Sequence, residues 1–273
     1  MHFLIVTSVD HCYANILLGV LLRRGVFARH RVTVLEQHGL IPGKTKLDGL
    51  LRYLRISGFP YVSGQIVKQY LFQTVRLLRS IQGRQSSVYY PYWHLSGPQV
   101  VRMRCPHLAS AEVIALMGKL KPDCILSLYS KEVIPERMFS FPRLGCVNLH
   151  PAPLPFYRGI SPTFWILARG EQTAGVTLHR VDRGLDTGPI ISQKLFPAKG
   201  YTDEHALYLA ATRYGATLVE DFITSLSRGK HKRMKLRPNP KAGSYYRLPT
   251  RGAVNEFFRR GCRFFRWRDF FRL

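Results

Sequence analysis

The sequence predicts an α/β fold with a mainly parallel sheet flanked by helices, and three observations carry that expectation. Short β-rich runs alternate with segments of helical apolar spacing along most of the chain. One run, DCILSLY (123–129), is nearly all apolar, as a strand covered on both faces requires. Another, CVNLH (146–150), ends in polar residues just before a proline-rich loop, and the carboxyl ends of such strands are where α/β sheets bind ligands.

The elements follow in order. HFLIVTS (2–8) reads as a first strand. No basic segment precedes its apolar residues, and Asp10 and His11 follow them, so a cytoplasmic location is expected rather than export by a signal peptide. A helix from about Ala14 to Arg24 and a strand RVTVLEQ (31–37) complete a βαβ opening. Residues 39–106 read as a helical insertion containing LDGLLRYLRI (47–56) and QIVKQYLFQTVRLLRSI (65–81). Within it, Ile66, Tyr70, Leu77 and Ile81 share one face and are expected to be core. VVRMR (100–104) reads as a strand and SAEVIALMGKL (110–120) as a helix capped by Ser110. After CVNLH, Pro151, Pro153 and Pro155 stiffen a loop. A helix near 162–169, strands GVTLHRV (175–181) and IISQKLF (190–196), and a helix from Thr202 to about Ser227 follow. Thr202 is the expected N-cap, with Asp203 and Glu204 in the first turn, where the helix dipole favours acidic groups. Residues 1–228 thus read as one domain, 229–243 as a basic linker, and the remainder to 273 as an aromatic and arginine-rich extension.

Composition limits the function. No stretch of the 273 residues approaches the roughly 18 apolar residues of a membrane-spanning helix. The 41 Lys and Arg against 16 Asp and Glu give a net charge of +25, which attracts acidic partners: phosphate, nucleic acid or an anionic membrane surface. The five cysteines are scattered with no metal-binding spacing. They suit a reduced compartment, with Cys124 and Cys146 acting as small hydrophobes inside strands. No metal is expected.

Chemistry concentrates at one place. Side chains alternate along a strand, so Asn148 and His150 point to the same face at its carboxyl end. Asp186 lies in the turn-forming stretch DRGLDTG, where Gly184 and Gly188 allow a tight loop that can return a carboxylate to the imidazole. His179 and His205 have no such company and read as structural.

NLHPAPLPFYRG followed by GVTLHRVDRGLDTGPII, with KPDCILSLYSKEVIP before them, resembles the signature of the folate-dependent formyltransferases. That family includes methionyl-tRNA formyltransferase, glycinamide ribonucleotide formyltransferase and the amino-sugar formyltransferases. The resemblance implies a Rossmann-like catalytic domain, 10-formyltetrahydrofolate as donor, and a catalytic set of Asn148, His150 and Asp186. It also implies that the pterin and its carrier chain lie near Glu132, Val133 and Ile134 and along Asp182, Arg183, Gly184 and Leu185. Tyr157 and Arg158, at the exit of the proline loop, are the implied acceptor-binding residues; Arg158 would hold an anionic group or simply solvate the loop. The chain departs from the family's usual Ser-Leu-Leu-Pro with Ala152-Pro153-Leu154-Pro155, and it has Ile160 where some amino-sugar members place a basic residue.

Three functions are consistent with these features. The leading expectation is a small anionic amine acceptor such as a nucleotide-linked amino sugar, drawn by the positive field. The residues beyond 228 are fewer than the separate β-barrel domain of the tRNA-formylating relatives would need. Charged tRNA is the second, because phosphate binding exploits this much positive charge. A non-catalytic folate-binding or membrane-associated module is the third. In 256–273 (EFFRRGCRFFRWRDFFRL), a continuous helix would set Phe257, Phe264 and Phe271 on one side with Arg259 and Arg266 roughly opposite. That is the pattern of an interfacial helix on anionic lipid; the alternative is that these aromatics pack onto the domain.

Overall fold

The computed structural model of the chain describes residues 1–38, 46–81, 100–105, 107–230 and 234–270. Five parallel strands form most of one sheet: β1 (His2–Ser8), β2 (Arg31–Gln37), β3 (Val100–Arg104), β4 (Cys124–Leu128) and β5 (Cys146–His150). A two-residue strand, β6 (Arg158–Gly159), follows them, and β7 (Thr173–Arg180) and β8 (Ile190–Pro197) complete the main sheet. Its order is β3-β2-β1-β4-β5-β7-β8, with the last two antiparallel. All five residues of β4 are buried between β1 and β5, the place its continuous apolar run predicts. Cys124 and Cys146 lie inside the core as small hydrophobes.

Helices α1 (Cys12–Arg23), α4 (Ala111–Leu120), α5 (Glu136–Phe139), α6 (Pro162–Arg169) and α7 (Glu204–Ser227) flank the sheet. Ser110 caps α4 by accepting from the Val113 amide at 3.3 Å. At α7 the cap falls one residue later than expected. Asp203 Oδ1 accepts from the Ala206 amide at 2.7 Å, while the Thr202 hydroxyl meets Arg266 instead. A carboxylate is the stronger partner for a first-turn amide, and Arg266 from the tail takes up the hydroxyl.

The expected insertion at 39–106 contains α2 (Lys46–Ser57) and α3 (Phe59–Ile81). Its last part, 100–104, belongs to the edge of the sheet; residues 39–45, 82–99 and 106 lie outside the described part. The stripe expected to be core is the outward face of α3, with Ile66, Tyr70, Leu77 and Ile81 exposed. Tyr61, Val62, Phe72 and Val75 pack inward in its place, beside Lys68, which pairs with Glu204 at 2.8 Å. Apolar residues occupy both sides of α3, so periodicity cannot say which side meets the core.

The C-terminal residues do not form an appendage. Strand β9 (Tyr245–Tyr246) pairs with β6, Arg237 bridges Ile190, and α8 (Arg251–Arg259) packs on α6. The continuous interfacial helix expected over 256–273 is absent among the described residues. Helix α8 ends at Arg259, and Gly261 turns the chain with φ +73°. Phe257 and Phe264 stack with Phe164 in the core, and Phe270 lies flat on His205 at 4.1 Å. The Phe264 ring covers Gly64 of α3 in space that any Cβ there would occupy. The aromatics expected to enter lipid are therefore interior; Phe271 lies outside the described residues.

Candidate active site

Asn148 sits on β5 opposite Ser127 of β4 and opposite His179 of β7. Residues facing each other across antiparallel strands present their side chains on one face, so β7 delivers an imidazole to Asn148. The amide Nδ2 lies 3.1 Å from His179 Nε2 and donates to Asp186 Oδ1 at 3.3 Å. His179 Nδ1 is 2.8 Å from the Arg180 carbonyl, which can only accept. The His179 proton therefore lies on Nδ1, leaving Nε2 to accept from Asn148. Both amide protons of Asn148 are thereby engaged.

His150, two residues along, is buried. Its Nε2 donates to the Tyr157 carbonyl at 2.8 Å, and its Nδ1 stands 3.6 Å from Asp186 Oδ2. Each ring nitrogen thus faces an oxygen that can accept a hydrogen bond.

The return of Asp186 depends on its loop. Its φ is +53°, a left-handed conformation that Asp tolerates better than most residues. The Gly159 amide donates to Oδ2 at 2.9 Å, and the Asp186 carbonyl accepts from Arg158 Nε at 3.1 Å and Asn239 Nδ2 at 2.9 Å. Gly159 has φ +94°, and the Tyr246 carbonyl occupies the space a side chain would need. Burial alone would raise the Asp186 pKa, but the neighbouring His150 and the Gly159 amide hold it well below the usual carboxylate range. The structure thus brings Asn148, His150 and Asp186 together as the sequence predicts, and adds His179.

The two residues expected to hold the acceptor are engaged elsewhere. Arg158 is buried, and its guanidinium donates to the carbonyls of Asp186, Pro240 and Lys241 and to Asn239 Oδ1. Tyr157 stacks on Tyr246 at 5.1 Å, and its hydroxyl donates to Glu171. Burial and that carboxylate push the phenol pKa up. Neither side chain is available to a ligand, because residues 239–241 take up the Arg158 guanidinium, Glu171 takes up the Tyr157 hydroxyl and Tyr246 covers its ring. The same segment, expected to be a linker, fastens the Asp186 loop through Asn239; residues 231–233 of that linker lie outside the described part.

The two segments expected to hold the folate carrier are adjacent. Arg183 reaches Glu136 at 2.7 and 2.9 Å, joining the 182–186 loop to the 132–136 loop. Val133 and Leu185 are exposed apolar side chains on these loops, Ile134 is buried beneath, and Asp182 shapes its turn by accepting from Gly184 N and Thr187 Oγ1. The Glu132 carboxylate accepts from Gln37, His107 and the Leu108 amide, and its backbone N–H and carbonyl meet Ser130 Oγ. Exposed apolar side chains on two adjacent loops suit a flat heteroaromatic, so Val133 and Leu185 fit a pterin. Among the described residues no group of three His, Cys, Asp or Glu could hold a metal ion.

The sequence reading missed His179 and Asn239. The β5/β7 pairing was the signal for His179, since an imidazole opposite Asn148 must share its face. Asn239 is distant in sequence and carried none.

Known proteins match part of the chain in sequence and most of it in fold. The family described as Formyl transferase matches residues 90–218. A methionyl-tRNA formyltransferase of Trichlorobacter lovleyi is 34% identical over 46% of this chain and 40% of its own length; the chain spans less than half of the curated relatives of this kind that it matches. The glycinamide ribonucleotide transformylase 1 of Symbiobacterium toebii superposes with a TM-score of 0.54 at 17% identity, over 88% of this chain and 94% of that one. The N-formyltransferase of Helicobacter canadensis, solved with folinic acid and dTDP-3-aminofucose, gives 0.51 at 16% identity over 90% and 71%. The chain has the fold of these formyltransferases, and the stretch that matches the Formyl transferase family, residues 90–218, contains Asn148, His150, His179 and Asp186.

Proposed function

We propose that this chain is an N-formyltransferase that moves the formyl group of 10-formyltetrahydrofolate to the amine of a small anionic acceptor, such as a nucleotide-linked amino sugar. The convergence of Asn148, His150 and Asp186 at the end of β5 carries this reading. The amine nitrogen attacks the formyl carbon, and a tetrahedral oxyanion develops. Asn148 exchanges one of its two amide contacts for that oxygen, and a protonated His150 stabilises the same charge. Asp186, kept ionised, holds the imidazolium and helps accept the proton shed by the amine, while the bond to the folate nitrogen breaks and that nitrogen is protonated in turn. The folate carrier supplies the activated formyl group. Val133 and Leu185 hold its pterin beside the triad.

The acceptor reading rests on the charge of +25, which steers anionic substrates. The Helicobacter canadensis enzyme was solved with a nucleotide-linked amino sugar. Several curated relatives are named methionyl-tRNA formyltransferase, which makes charged tRNA the second reading. Incubating the full chain with 10-formyltetrahydrofolate and a panel of nucleotide-linked amino sugars and charged initiator tRNA separates them. Formylation of an amino sugar is the expected result. Turnover with charged tRNA alone would overturn the acceptor, and folate binding without turnover on any amine would leave a non-catalytic folate module.

A further inference from the structure

Helix α3 is apolar on two opposite sides, and among the described residues only one of them meets the rest of the fold. At about 100° per residue, Tyr61, Phe72 and Val75 turn inward with Lys68. Phe59, Ile66, Tyr70, Leu77, Leu78 and Ile81 fall within an arc of roughly 120° on the other side and are 41% to 74% exposed. The remaining positions of that arc are Pro60, Ser63, Val67 and Thr74, so no charged residue interrupts it. The stripe runs the length of the 23-residue helix, roughly 34 Å. A contiguous exposed apolar surface of this extent marks an interaction site.

The neighbouring charge indicates the occupant. The 3-10 turn Trp267–Phe270 packs against α3 and leaves Trp267 63% exposed. Trp267 lines an open recess of about 490 Å³ with Arg263, Phe265, Arg266 and Arg268. On α2, next to α3, Arg52 and Arg55 are exposed. An uncharged apolar helix face, on a helix whose packed neighbours expose arginines and a tryptophan, suits the headgroup level of an anionic bilayer, where phosphates pair with the arginines and apolar side chains enter the acyl boundary. A second copy of the chain fits poorly, because a two-fold interface sets each patch against itself and would bring these arginines into like-charge contact.

We propose that the outward face of α3, with the Trp267 turn beside it, docks this protein on anionic lipid as a peripheral membrane protein. Docking lays α3 flat on the surface, and no helix among the described residues is long and apolar enough to cross a membrane. The surface differs from the tail helix that the sequence suggested, whose Phe257 and Phe264 are interior. It is also independent of the formyl acceptor.

Co-sedimentation of the full chain with phosphatidylcholine vesicles, with and without phosphatidylglycerol, tests the proposal. Recovery should require phosphatidylglycerol and fall at high salt. The triple variant Tyr70→Gln, Leu77→Gln, Ile81→Gln should bind at least about tenfold more weakly while melting at the wild-type temperature, since these side chains are exposed. A second variant, Arg263→Gln with Arg268→Gln, should lose most of the salt-dependent part. Equal recovery of wild type and triple variant would overturn the proposal. So would binding that ignores phosphatidylglycerol, or a dimer in light scattering that the triple variant abolishes while vesicles capture neither protein.

Discussion

Asn148 Nδ2 and His179 Nε2 stand 3.1 Å apart across the β5/β7 pairing. His179 therefore acts as a positioning residue, fixing the amide that is to face the oxyanion. In His179→Ala that restraint is lost while the other contacts of the site remain. Turnover should drop between about tenfold and a hundredfold with the folate KM little changed. A merely structural role would move the melting temperature and leave kcat intact.

Asn148→Ala removes a donor that the transition state needs more than the ground state does. A loss of about 10² to 10³ in kcat is expected, with melting near that of the wild type because Asn148 is only half-buried. Steady-state formylation and thermal melting on the same preparation check both parts.

Arg158 is predicted to serve architecture rather than recognition. Arg158→Met leaves the carbonyls of Pro240 and Lys241 without this donor and the Asp186 carbonyl with Asn239 alone, a cost of about 2–4 kcal/mol. Denaturant unfolding should show that loss, and kcat should fall with it as the Asp186 loop loosens. A large rise in acceptor KM at unchanged stability would restore the acceptor-binding role.

The tail is predicted to be part of the core. Phe264→Ala vacates the space over Gly64 and removes stacking on Phe257 at 5.1 Å, costing about 3–5 kcal/mol. A chain ending near Thr250 should melt far below the full chain. Equal melting temperatures would make the tail dispensable.

Acid should destabilise the protein through His11 and His205. Burial lowers both pKa values to about 3, helped by the Lys68 charge and, at His11, by Lys131. The unfolded chain binds these protons near pH 6.5 and the folded one near 3, so stability falls as pH drops through that window, by about 1.4 kcal/mol per unit for each group. Asp203 opposes this, because burial raises its pKa to about 6 and the folded state gains its proton first. Asp203→Asn keeps a capping side chain and removes the gain. The decline in melting temperature from pH 6.5 to 4.5 should therefore be steeper in the variant than in the wild type.

The sequence by itself determined the parallel strands, the central place of β4 and the convergence of Asn148 with His150, because alternation and apolar runs act over a few residues. It also located the Asp186 turn, through glycines that permit the loop. What only the tertiary structure decided depends on pairing between distant segments: His179 beside Asn148, Asn239 holding Asp186, Arg158 and Tyr157 withdrawn from the acceptor, and the tail aromatics closing over Gly64. The outward face of α3 belongs with these. A helix apolar on both sides satisfies the same periodicity either way round, and the face that meets the core is settled by what packs there, the buried Lys68–Glu204 pair and the rings of Phe264 and Phe270.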